Sequence, residues 1–333
     1  MFMGFERICQ RLLEYGVLAP SIYNSQPWKF VVDGARGVIE VQADLPRVRP
    51  DEIDPHQRDL YLALGACIEN MVLAAPALGY EIELSLFPRA DTAASLKLKP
   101  MSETMPENLF PSLLIRQTHA GAYRENSVQP IHLERLLNVP AFSPNEKLHV
   151  LHSDVIQKQL IPFLHDAAHE GALRQDLIDE GARWIRTDSE AGDGLPLGHL
   201  GLPISVKIRF AVLRYLFYKK EVKEVARQVL LRQGHLVEAP AFVLMTVQTS
   251  DKESYLNAGR WYARLALTLS EIELGTQTLH LPITLQTAHV PLLDFFKASP
   301  KEEPVFLVRL GQPVEKKWPK TSRRPVSLSV KFT

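Results

Sequence analysis

Ten residues, Ala19-Pro20-Ser21-Ile22-Tyr23-Asn24-Ser25-Gln26-Pro27-Trp28, constrain this chain more than any other stretch. They divide a helix from a strand with two prolines and an indole. Phe5, Ile8, Leu12, Leu13 and Tyr15 recur at helical spacing ahead of them. Pro20 ends that helix, because its ring removes an N–H donor and pushes the preceding residue out of the α region. Ser21, Asn24 and Gln26 are polar side chains on a pinned loop, which is how a rigid ligand-facing surface is built on backbone. An ordinary helix-to-strand turn has the same composition.

The spacing predicts strands over Trp28–Val32 and Val38–Val41, joined through Asp33-Gly34-Ala35-Arg36-Gly37 as a hairpin. Asp54 before Pro55 then opens a helix with Leu60, Leu64, Cys67, Ile68, Met71 and Ala75 on its apolar face. Pro76 and Gly79 stop it, and Glu81–Phe87 alternates as a strand. Between Pro88 and Pro111 a polar stretch carries Pro88, Pro100, Pro106 and Pro111 and reads as a connection. It divides the chain into halves, residues 1–111 and 112–333. In the second half the helix Pro130–Leu137 and strand Lys147–Leu151 repeat the order of the first. Val155–Ile185 is helical, Ala241–Val247 is a buried strand, Tyr255–Leu274 is a helix closed by Gly275, and Pro304–Gly311 is a strand. Ser322-Arg323-Arg324-Pro325-Val326 is a basic turn before a last strand.

Basic and acidic residues number 38 each among 333, so no global field draws nucleic acid or a membrane surface. Cys9 and Cys67 are too few for a disulfide framework or a zinc finger, and both fall in apolar helical patterns. Met1–Arg7 lacks the basic and apolar segments of a secretion signal, so the expected compartment is the cytoplasm. His165 and His169 stand at i and i+4, but without a third ligand they read as a solvated face, and no metal site is expected. Ile204–Tyr218, apolar with Lys207, Arg209 and Arg214 interspersed, is too short and charged to span a bilayer. It reads as a lid or core-flanking helix, the alternative being attachment to a membrane surface.

The opening loop resembles the A-P-S-x-x-N-x-Q-P-W signature of flavin-dependent nitroreductases, in which this loop faces FMN across a dimer interface. Arg58, Gly65, Asn70 and Leu78-Gly79 are similar to a tandem, Acg-like branch that carries two nitroreductase halves in one chain. Arg116-Gln117-Thr118 resembles the element whose arginine and hydroxyl hold the FMN phosphate. A planar guanidinium grips phosphate bidentately, which makes the match chemically sensible. Ala120 departs from the pattern, occupying the place of a second cation near the pyrimidine side of the flavin; His119 and Arg124 are candidate substitutes. Without such a cation, bound FMN is expected to have a midpoint potential at or below that of the free flavin. Pro282, Ile283 and Thr284 look like the loop whose backbone amides approach the flavin ring. Arg323 and Arg324 fall where the family returns a basic pair to the phosphate, and residues 184–233 cover the lid region.

The resemblance implies an α+β fold of three α/β/α layers, in which the halves of one chain stand in for the family's homodimer. The turn Asn138–Asn145 lacks the Gln-Pro-Trp of the first loop, and the first half lacks the Arg116–Thr118 grip. Each half keeps what the other has lost, which implies one FMN site between them in a monomer: Pro20, Ser21 and Asn24 from one side, Arg116, Gln117, Thr118, Pro282, Ile283, Thr284, Arg323 and Arg324 from the other. The implied activity is ping-pong transfer of hydride from NADPH or NADH to a nitroaromatic or quinone-type acceptor, with the chemistry on the flavin and no catalytic side chain. The alternatives are an FMN-storing or redox-sensing protein with little turnover, and a scaffold without flavin.

Overall fold

A computed structural model describes residues 2–152, 154–200, 202–235, 238–315 and 320–333. The first hundred residues give α1 (Phe2–Gly16), β1 (Trp28–Asp33), β2 (Val38–Ala43), α2 (Arg58–Ala74), β3 (Tyr80–Arg89) and β4 (Thr92–Pro100). Next come α3 (Ser112–Ile115), α4 (Pro130–Leu137), β5 (Glu146–Leu151), α5 (Asp154–Leu173), α6 (Gln175–Trp184), β6 (Ile185–Arg186), β7 (Leu195–Pro196) and α7 (Ile204–His235). The chain continues through β8 (Ala241–Val247), α8 (Lys252–Glu271), β9 (Gly275–Thr278), α9 (Leu281–Thr284), α10 (His289–Phe295), β10 (Glu303–Gly311) and β11 (Val330–Phe332).

Two sheets organise these elements into an α+β fold. The first has the order β11-β1-β2-β4-β3, antiparallel except where β11 runs parallel to β1, with Phe30 opposite Val330. The second, β5-β8-β10-β9, is antiparallel throughout. Trp28, Phe30, Val32, Ile39, Val41 and Leu96 turn one face of the first sheet into the main core, while Lys29, between Trp28 and Phe30, is exposed. That period of two marks a sheet with one covered face. All of β8 is buried because its faces enter different cores: Val243, Met245 and Val247 join the main one, Phe242 and Leu244 a second.

α2 and α8 lie against each other at the centre. The approach is set by glycine: a Cβ at Gly65 would stand 1.9 Å from the Leu256 carbonyl oxygen, and one at Gly259 would stand 2.1 Å from that of Leu62. One helical stretch among the described residues, Arg58–Leu78, is long and apolar enough to cross a membrane, yet 83% of its apolar window is buried in the fold. Cys9 and Cys67 are free and fully buried, and burial pushes both thiols up, Cys9 to about 12.

The stretch expected to be a plain connection contains β4, which pairs with both β2 and β3. Its first four residues, Thr92-Ala93-Ala94-Ser95, are small, and only Leu96 and Leu98 beyond them are large apolar residues turned to the core. These give little periodic signal, and the pairing depends on neighbours far away in sequence. The helix expected over Ile204–Tyr218 is interrupted at Phe217, and a second helical arm follows to His235.

Candidate functional site

α1 ends at Gly16, and the loop beyond it is held in an uncommon backbone state. Tyr23, Asn24 and Gln26 all have φ between 50 and 54°, the left-handed region that favours glycine. Polar side chains hold it there. The Gln26 amide donates to Ser21 Oγ at 2.9 Å, Gln26 Nε2 donates to the Gly192 carbonyl at 2.8 Å, and Gln26 Oε1 accepts from the Arg324 amide at 3.0 Å. Asn24 Nδ2 donates to the Ser322 carbonyl at 3.0 Å, leaving its Oδ1 buried and without a partner. Gln26, fully buried, thus ties distant segments together, while Pro20, Ser21 and Asn24 line a cavity of about 290 Å³.

Two arginines converge on the carboxyl end of α1. Arg323 Nε donates to the Val17 carbonyl at 2.9 Å, and its Nη2 donates to Leu18 and Ala19. Arg116 Nη2 donates to the same Leu18 carbonyl at 3.2 Å. Helix-terminal carbonyls attract such cations, but this end receives two with no carboxylate paired to either among the described residues. Arg116 Nη1 is buried without a hydrogen-bond partner, as is Gln117 Oε1. Burial, with Arg116 beside it, holds Arg323 down to about 9, and burial lowers Arg116 as well. Uncompensated guanidinium groups of this kind are stabilised by an incoming anion. Arg323, Thr118 and Thr321 line the cavity, and Arg116 stands next to Arg323. Arg324 faces elsewhere, with Nη1 on Asp44 at 3.1 Å.

The rest of the cavity wall comes from both parts of the chain. α2 supplies Arg58, Asp59, Leu62, Ala63 and Ala66, α8 supplies Tyr262, and β9 with the turn after it supplies Gln277 to His280. Ile283 lines the cavity, whereas Pro282 is buried behind it and Thr284 Oγ1 accepts from Arg49 at 3.3 Å. Ala120 lines it as well. Neither His119 nor Arg124 reaches the wall, which carries Arg232 of α7 instead. Arg232 has no carboxylate partner among the described residues, and burial lowers it. Nothing in the sequence marked it, because it lies past a kink in a helix whose second half carried no motif. Residues 192–196 lie against the opening loop: the Gly192 and Gly194 carbonyls accept from Gln26 and Asn24, and Leu195 and Pro196 line the cavity.

A charged network beneath the cavity also lay outside the sequence reading. Arg49, buried, grips Glu180 through two bonds of 2.7 Å and also pairs with Asp59. Asp54 accepts from the amides of Arg58 and Asp59 at 3.0 and 2.9 Å. α2 opens only at Arg58 after Gln57, so Asp54 and Pro55 stand ahead of the helix and not at the cap and first position expected of them. Burial and the neighbouring Asp59 charge raise Asp54 to about 6. His280 meets Tyr23 Oη at 3.2 Å and Gln233 Nε2 at 3.3 Å, and burial beside Arg49 holds it down to about 3. It is therefore neutral at ordinary pH. No group of three His, Cys, Asp or Glu able to hold a metal occurs among the described residues.

No family model matches the chain, and no curated protein matches it. Among solved structures it is similar to a nitroreductase with bound FMN from Bacteroides fragilis, at 11% identity over 63% of this chain and 91% of that one, TM-score 0.39. It is also similar to the FMN- and NADPH-dependent nitroreductase NfnB of a Sphigopyxis strain, at 14% identity over 68% and 99%, TM-score 0.42. A provisional nitroreductase from Anabaena variabilis matches at 13% identity over 83% of this chain and 69% of that one, TM-score 0.46.

Proposed function

We propose that this chain is an FMN-dependent oxidoreductase of nitroreductase type, passing reducing equivalents from NADPH or NADH to a small nitroaromatic or quinone-type acceptor in the cytoplasm. The observation that carries this reading is the half-buried pair Arg116 and Arg323, side by side without a counter-charge among the described residues, Arg323 on the cavity wall and Arg116 next to it with its Nη1 buried and unpartnered. A phosphate monoester supplies the missing charge, and Thr118 a further donor. The volume of about 290 Å³ lies at the lower end for small-molecule sites. Unpartnered Asn24 Oδ1 offers an acceptor for a ring N–H, which suits the amide-like edge of a flavin.

A flavin bound there supplies the hydride-accepting and hydride-donating chemistry. The chain's residues bind and orient. Arg116 and Arg323 anchor the anionic tail, Pro20, Ser21 and Asn24 present a rigid loop, and Ile283 closes the apolar side. His280, neutral, presents an N–H or a lone pair at the wall without adding charge.

In this reading residues 1–111 and 112–333 are two halves that replace the family's dimer, so one chain needs no second copy. The two sheets, each built from one half except that β11 of the second half joins the first, and the reciprocal contacts of Gly65 with Leu256 and Gly259 with Leu62 support it. The purified protein should take up one FMN per chain and bleach on anaerobic addition of NADPH. Failure to take up FMN would overturn the reading, and two per chain would overturn the single composite site. Ala120 on the cavity wall favours a second reading, flavin storage, which predicts full loading without turnover on any acceptor.

A further inference from the structure

α7 is not one rod. Phe217, with φ −130° and ψ 38°, interrupts it, and Arg209 Nε reaches Glu221 Oε2 at 3.0 Å. Twelve residues of straight helix would separate their Cα atoms by about 18 Å, so the chain doubles back at Phe217. The second arm packs inward, with Val222, Val225 and Ala226 buried. The first arm packs through Phe210, 1% exposed, and leaves its opposite face bare.

That bare face is apolar. Ile204, Ile208, Val212 and Tyr215, spaced to share one side of a helix, are 72, 58, 65 and 78% exposed, and Leu216 beside them is 79% exposed. A continuous stripe of this kind is uncommon on a protein surface without a partner. Its remaining charge is one-sided: Arg209 is held by Glu221, but from Gly194 to Lys220 there is no carboxylate, while Lys207, Arg214, Lys219 and Lys220 flank the stripe. A second copy laid on this face would oppose cation to cation. An anionic lipid surface satisfies both features, taking the apolar side chains among its acyl chains and the cations among its headgroups.

We infer that the first arm of α7 is a peripheral membrane anchor, lying in the plane of an anionic bilayer without crossing it. Leu195, Pro196, His199 and Leu200, just before this arm, line the cavity, so docking would set the cavity beside the lipid.

The test is flotation of the full chain with vesicles of phosphatidylcholine containing about one-third phosphatidylserine, against phosphatidylcholine alone, at low and high salt. The protein should float with the anionic vesicles and be released by salt. Lys219→Glu/Lys220→Glu should weaken partitioning by about fivefold or more for each lysine changed, and Ile208→Asp/Leu216→Asp should abolish it. These exposed positions lie outside the cavity wall, so flavin loading should be unchanged. Absence of flotation, equal flotation with both vesicle types, or flotation insensitive to the substitutions would overturn the inference. So would a dimer in solution that the same substitutions dissociate, because the stripe would then belong to a second copy.

Discussion

Gly65 and Leu256 meet so closely that no side chain fits between them: a Cβ on the first would lie 1.9 Å from the carbonyl oxygen of the second. Backbone on backbone cannot give way without moving α2 against α8. Gly65→Ala should therefore destabilise the fold by about 3 kcal/mol, a large overpacking cost, and Gly259→Ala by a similar amount. Gly16→Ala meets side chain and not backbone, Met71 Cγ at 2.8 Å, and should cost less, about 1–2 kcal/mol. Urea unfolding of the three variants checks the order.

Arg116→Ala and Arg323→Ala should each weaken FMN binding by about 1.5–3 kcal/mol, the range for a hydrogen bond to a charged group. Arg324→Ala should cost much less, because that guanidinium is committed to Asp44. Fluorescence titration with FMN separates the three. Equal losses would move the anion away from the end of α1.

Arg232 shares the cavity wall with Ala120. A cation near a reduced flavin stabilises its negative charge, so Arg232→Gln should lower the midpoint potential of bound FMN. A redox titration showing no change would remove Arg232 from this role and restore the expectation drawn from Ala120 alone.

His280 makes acid stability testable. The unfolded chain binds a proton on this imidazole near the ordinary value of about 6.5, whereas the folded chain does so only at about 3. Stability from this group is therefore level above the upper value and is lost as pH falls through the window. His280→Gln should flatten that part of a plot of unfolding midpoint against pH.

Arg49 faces two carboxylates, Glu180 and Asp59, with its own side chain 3% exposed. Arg49→Met strands them and should cost about 3–5 kcal/mol. Adding Glu180→Gln should recover part of that loss, which thermal unfolding of the double variant would reveal.

The opening loop was legible because two prolines and an indole fix its path in any fold. β8, α4 and the buried cysteines were legible because their apolar pattern is dense. β4 was not, since its small first residues, Thr92 to Ser95, leave Leu96 and Leu98 as its only large apolar positions, and the strand acquires its place from β2 and β3 on either side. Arg323 was visible as half of a basic pair, but the sequence could not say that its neighbour Arg324 turns to Asp44. The network of Arg49, Glu180 and Asp59 joins positions up to 131 apart in the chain, and no local spacing encodes such a pairing.

β11 is joined to β1 by residues made some three hundred positions later, with the Phe30 amide donating to the Ser329 carbonyl at 2.7 Å. On a ribosome adding about 5–20 residues each second, the flank of β1 would wait on the order of 15–60 s for its neighbour. Throughout that interval it is a template for any other nascent strand. A hazardous interval for this protein thus falls during its own synthesis, and the arrival of β11 closes it.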